Sequence, residues 1–284
     1  MNVSGEAERS PALGGWSAIP WHLHAMLCQG LLTATPNALL VTAVFYYKAL
    51  RTRNELLPVC LFHLSELVHA MGRLTSAVNH MSYIVEGTQQ LRIPLLVSCL
   101  WRAHYWLVTF GGGLNTFLFL CVAVDRLVAC LVPLKYLSFG AAYSRRLVAA
   151  FSAVALIQSS VIVVITIAAR PKTDGVPILC PFSAVFGVRG VGAIFMAINM
   201  ACYAAAIVLY LSIPVITGMV REGRKQPKGC VSNAAQRMKQ QRRLTCMLCV
   251  AAALTFISKI CSGAARLVIR RFTRCSCEGH WRLS

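Results

Sequence analysis

Hydrophobic residues in this chain come in long unbroken blocks rather than at the spacing of a half-buried helix or strand. Residues 25–47, 103–124, 147–169 and 190–220 contain no Asp, Glu, Lys or Arg. Each block exceeds the roughly 20 residues that, at 1.5 Å per residue, carry a helix across a hydrocarbon core about 30 Å thick. Residues 56–85 form a further block that carries Glu66 and Arg73, and residues 244–265 another that carries Lys259. Lipid offers the backbone no hydrogen-bond partner, so each block must be helical, and no alternating strand pattern of a barrel is present. The pattern predicts an all-α integral membrane helix bundle of about six spans, near residues 25–47, 56–85, 97–126, 147–169, 190–220 and 244–265. These lie between an N-terminal segment, 1–24, and a short basic C-terminal segment, 266–284.

Composition agrees with that reading. Of the residues, 57% are hydrophobic and 13% charged, against roughly 45–50% and about 25% in soluble domains. Residues 1–24 lack the charged start, short apolar stretch and small-residue cleavage site of a signal peptide, so the first span is expected to act as its own targeting signal. Many of the 13 cysteines, among them Cys28, Cys60, Cys121, Cys202, Cys246 and Cys249, fall inside apolar blocks and read as small hydrophobes.

A net charge of +19 raises the question of nucleic acid, and the placement of the charge answers it. The loops after the first, third and fifth blocks hold Lys48, Arg51 and Arg53, then Lys135, Arg145 and Arg146, then the cluster between Arg221 and Arg243; the opposite side has only a small excess. Cytoplasmic loops retain Lys and Arg, so this asymmetry predicts a multi-pass plasma-membrane protein with its N-terminus outside, lipids as its surroundings and no nucleic-acid partner. The sequon Asn2, Val3, Ser4 then lies outside as a weak glycosylation candidate. Arg266, Arg270, Arg271, Arg274 and Arg282 break the alternation: either the sixth block does not cross fully, or a seventh span is missing and the product is truncated.

The third block ends in Asp125, Arg126 and Leu127, with Pro133 and Tyr136 following. An acid beside an arginine at a cytoplasmic helix end can pair in one state and free the guanidinium for a partner in another. The plainer alternative is a helix-end charge pair at the membrane interface. The segment resembles the Asp-Arg-Tyr motif of rhodopsin-like G-protein-coupled receptors, with Leu127 in place of the usual tyrosine. In its Asp-Arg-Leu form with Pro133 and Tyr136 it is similar to the nematode serpentine chemoreceptors of the Srsx type. The stretch Ala49, Leu50, Arg51, Thr52, Arg53, Asn54, followed by Leu64, Ser65, Glu66, Leu67, Val68, His69, resembles the first cytoplasmic loop and acidic second span of that family.

The resemblance implies a bundle of the seven-transmembrane receptor type, a heterotrimeric G protein as partner, an unidentified small-molecule or peptide ligand, no cofactor and no enzymatic activity. It also implies that Asp125, Arg126, Pro133 and Tyr136 form the coupling switch, that Asn37 hydrogen-bonds toward Glu66, and that a disulfide joins Cys99 to Cys180. Taken alone, Glu66 is an ionisable group at bilayer depth, costing roughly 2.5–3.5 kcal/mol unless paired, hydrated or protonated, and such groups face the bundle interior. Its match in rhodopsin-like receptors is a sodium-binding aspartate, one methylene shorter; an ordinary interhelical polar contact is the alternative. Tyr203, Tyr210 and Pro214 in the fifth block depart from the receptor order, in which the tyrosine follows the proline, and read equally as interfacial tyrosines and a tolerated kink.

No metal site is expected. Cys246 with Cys249 and Cys275 with Cys277 lack a second ligand pair at zinc-finger distance, and no Ser, His and Asp arrangement suggests hydrolysis. A small transporter or channel, with a polar path around Glu66, His63 and His69, is the rival reading. It wants an internal repeat and paired broken helices, and neither is seen in the sequence.

Overall fold

The computed structural model describes residues 21–48, 56–86, 92–93, 102–169, 176–177 and 191–223. They form α1 (Trp21–Tyr46), α2 (Leu57–Val85), α3 (Ala103–Leu131), α4 (Pro133–Ser138), α5 (Ala141–Ala169) and α6 (Val191–Gly223). Two short strands, β1 (Arg92–Ile93) and β2 (Val176–Pro177), pair antiparallel with Arg92 opposite Pro177 and Ile93 opposite Val176. They tie the loop before α3 to the loop after α5. The expected sixth span, 244–265, and both terminal segments, 1–20 and 266–284, lie outside the described residues.

Among the described residues four helices, α1, α3, α5 and α6, are long and apolar enough to cross a membrane. The fifth long helix, α2, has 29 residues, about 43 Å at the α-helical rise, and accommodates its polar residues by burying Ser65 and Glu66. The helices outrun the uncharged blocks. α5 begins at Ala141, ahead of Arg145 and Arg146, because helical hydrogen bonding does not stop where the hydrocarbon does and long cationic side chains reach the headgroups. Pro36 sits inside α1, where it removes one backbone donor. Around it Thr33, Thr35 and Asn37 direct their side chains to the carbonyls of Gln29, Leu31 and Thr33, each one turn back, at 2.8, 2.9 and 2.7 Å.

The distribution of side chains is inverted relative to a soluble domain. Asn37, Glu66, Thr109, Asn115, Ser159 and Thr166 are buried, while Leu32, Leu39, Ile157, Val164, Val208 and Leu211 are exposed. So much outward apolar surface would drive association in water, and it is what lipid solvates. Among the described residues the long elements are all helices, as in a membrane helix bundle. Of these four helices α3 is the most enclosed, with 61% of its most apolar stretch buried against 22–28% for α1, α5 and α6.

The described residues fall into two compact units, one within Met1–Asp125 and Ser138–Ala205, the other within Arg126–Leu137 and Ala206–Ser284. In the first, glycines set how closely the helices approach. A methyl on Gly72 of α2 would lie 2.8 Å from the Val108 amide nitrogen and from Leu107 Cβ on α3, and one on Gly113 of α3 would lie 2.7 Å from Ser159 Oγ on α5. These contacts have the small-residue character by which membrane helices gain van der Waals packing where no hydrophobic drive exists between them.

Candidate functional site

In the first unit, three helices bring polar side chains together at mid-helix. Glu66 on α2 is buried, and Asn115 on α3 donates its Nδ2–H to Glu66 Oε1 at 2.6 Å. One turn earlier on α2, His63 Nδ1 lies 2.6 Å from Asn37 Oδ1 on α1. Since Asn37 Nδ2 donates to the Thr33 carbonyl at 2.7 Å, Oδ1 is the accepting end and the His63 proton sits on Nδ1.

Asn37 therefore does not reach Glu66. The expected bond is replaced by Asn37 to His63, because His63 lies one turn before Glu66 on the same side of α2 and meets α1 first. His69, one turn beyond Glu66, packs against α3, its ring 3.2 Å from where a methyl on Gly112 would be. Two turns beyond Glu66, Arg73 donates to the Gln29 side chain on α1. Beside the polar cluster, Phe119 of α3 packs on Phe62 of α2 and on Tyr203 of α6, with centroids 5.5 Å apart in each case. Tyr203 thus belongs to the packing of the bundle.

The second unit holds the arginine. Arg126 is fully buried and donates from Nη2 to Tyr136 Oη at 3.2 Å. A short reversal makes this pairing: Pro133 occupies the first position of α4, where its missing N–H costs nothing, and the Tyr136 amide donates to the Val132 carbonyl at 2.8 Å. One turn of α4 then returns the phenol to the end of α3. A buried guanidinium needs such partners, because a desolvated charge without hydrogen bonds is costly. Asp125 is fully buried as well, and Tyr210 of α6 is buried.

Among the described residues no group of three His, Cys, Asp or Glu is placed to hold a metal ion, and Cys28, Cys60, Cys121 and Cys202 are free thiols. Cys99, Cys180, Asn2 and the basic cluster beyond Gly223 lie outside the described residues. Sequence reasoning missed Asn115. Its signal was present: it is the one asparagine in the uncharged block 103–124, and an amide at bilayer depth must find a partner on another helix.

Residues 31–240 match the family of the serpentine type 7TM GPCR chemoreceptor Srsx. Membrane-crossing helices and this match together define a multi-pass membrane protein of the receptor class rather than an enzyme class. The chain belongs to the Srsx serpentine chemoreceptor family. A search of curated proteins gives no significant match.

Proposed function

We propose that this chain is a chemosensory receptor of the plasma membrane, with its N-terminus outside, that passes the binding of a small ligand to a heterotrimeric G protein. The observation that carries this reading is the buried Arg126 held by Tyr136. A guanidinium at a helix end, sequestered by a neutral phenol on a short adjoining helix, is a group that a conformational change can hand to a partner. The ligand acts only through different affinities for the two arrangements. Asp125 and Pro133 belong to the same device, the first as the adjacent acid and the second as the residue that starts α4. The strand pair between the loops that carry Cys99 and Cys180 supports a disulfide constraining the outer side, and the cationic residues between Arg221 and Arg243 supply a surface for the G protein.

Tyr136→Phe tests the reading without knowledge of the ligand. It removes the hydroxyl that accepts from Arg126 and keeps the ring. A hydrogen bond to a charged group is worth about 1.5–3 kcal/mol, so its loss should move the resting equilibrium roughly tenfold or more toward the released state. In membranes reconstituted with purified heterotrimers, ligand-independent nucleotide exchange should rise correspondingly over the wild-type chain at equal receptor density. Exchange that stays at the wild-type level would mean that Tyr136 does not restrain the switch.

A further inference from the structure

We infer that the N-terminal half of α3, with α2 beside it, is a docking groove for one acidic phospholipid of the bilayer, its acyl chain lying along α3 and its phosphate on Arg102. Ala103, Trp106, Phe110 and Leu114 recur at three- and four-residue steps, so they form one stripe of α3. Together with Val68 of α2 they line a groove of about 440 Å³, and every residue that lines it is apolar. Such a volume lies within the roughly 300–1,000 Å³ of ligand sites. Trp106 and Phe110 stack with centroids 5.2 Å apart and an interplanar angle of 27°, which makes one aromatic wall. Trp106 is 38% exposed, so the groove opens to lipid; toward α2 it is closed, because Gly72 and Gly111 bring the two helices into backbone contact.

The stripe has the length of one leaflet. From Ala103 to Leu114 it runs about 16 Å at the helical rise, half of a hydrocarbon core roughly 30 Å thick. Arg102 stands at its head, one residue ahead of the membrane-crossing stretch Ala103–Leu131. Leu114 stands at its foot, next to Asn115 and the polar layer at mid-helix. A molecule that follows the stripe therefore keeps its chain in the hydrocarbon and its head at the level of Arg102.

Charge complementarity selects the head. Arg102 Cζ lies over the Tyr83 ring of α2, 5.1 Å from its centre, a contact with the π-face that occupies no N–H donor by a hydrogen bond. Among the described residues no carboxylate pairs with Arg102, Glu86 one turn past Tyr83 included. A planar fork of donors at headgroup level matches the paired oxygens of a phosphodiester. One such cation at a membrane surface favours an acidic lipid roughly fivefold. A sterol or a neutral lipid would fill the groove and leave that match unused, and a packing helix would bring no phosphate to it.

Quenching of tryptophan fluorescence by lipids brominated along the acyl chain tests this on the full chain in lipid discs. Neither G protein nor receptor ligand enters the assay, so its outcome is independent of the signalling role. Brominated phosphatidylglycerol and brominated phosphatidylcholine with the same chains are compared at equal minor shares of the disc lipid. On the wild-type chain phosphatidylglycerol should quench more, as a roughly fivefold higher local share at Trp106 requires. Arg102→Gln should bring the two lipids level, and Trp106→Phe should remove the difference by removing its reporter. Both side chains are partly exposed, so neither exchange opens the packed interior. Equal quenching by the two lipids on the wild-type chain overturns the inference whether or not a variant folds. A preference that survives Arg102→Gln or Trp106→Phe overturns it too. Stronger quenching by a brominated sterol would assign the groove to a sterol, and no quenching by any of the three would mean that protein covers it; either result contradicts the acidic phospholipid.

Discussion

Replacing Arg126 with alanine should bring nucleotide exchange down to the rate of the heterotrimer alone, even when combined with Tyr136→Phe, whose elevated ligand-independent exchange provides the signal. Arg126 lies at the end of α3 with no exposure to solvent and with Tyr136 Oη accepting from its Nη2. Its five-donor fork is the group that any partner contact at this position would use, and lysine offers the charge without the fork. Arg126→Lys should therefore recover only a minor part of the exchange. Surface expression of Arg126→Ala should persist, because the partner left behind at Tyr136 is a hydroxyl that can donate as well as accept. Full exchange by the Arg126→Ala, Tyr136→Phe double variant would remove Arg126 from the mechanism.

The second large effect is on stability. At Gly72 a single added methyl meets Leu107 Cβ and the Val108 amide nitrogen, both at 2.8 Å, and the Leu107 carbonyl carbon at 3.0 Å. Two of those atoms are backbone, so α2 and α3 must separate for Gly72→Ala to fit. Overpacking of this kind costs about 1–3 kcal/mol, and the displaced helices are the two that carry Glu66 and Asn115. The melting temperature of the solubilised receptor should fall measurably and surface expression with it. Gly140→Ala is the control. Nothing lies within 4 Å of the added methyl there, and the loss of unfolded-chain freedom makes it neutral or slightly stabilising. Equal stability of Gly72→Ala and Gly140→Ala would show that the α2–α3 approach is not set by this glycine.

Much of the fold was legible because lipid imposes one rule on the backbone, and the uncharged blocks around residues 103–124, 147–169 and 190–220 obey it. The inward burial of Glu66 followed from its charge alone. Its partner was not legible, because choosing between Asn37 and Asn115 requires the rotation of α1 and α3 about their axes, and an apolar block without charges carries little record of rotation. Nor was the role of His63 as the group that meets Asn37, since it depends on which of two residues one turn apart reaches α1 first. At Arg126 the motif pointed to the residue and to Tyr136 together. What it did not contain was the hydrogen bond between them, which exists because Pro133 starts a new helix and one turn of it returns the phenol.

The most direct measurement is epitope accessibility in cells expressing the full chain, with one tag ahead of Met1 and another beside Arg224. The account predicts that antibody reaches the N-terminal tag on intact cells and the tag beside Arg224 only after permeabilisation, since Lys and Arg mark the cytoplasmic face. Both tags reachable on the same side, or the two reversed, would contradict it, because Arg126 could not then face a cytoplasmic G protein.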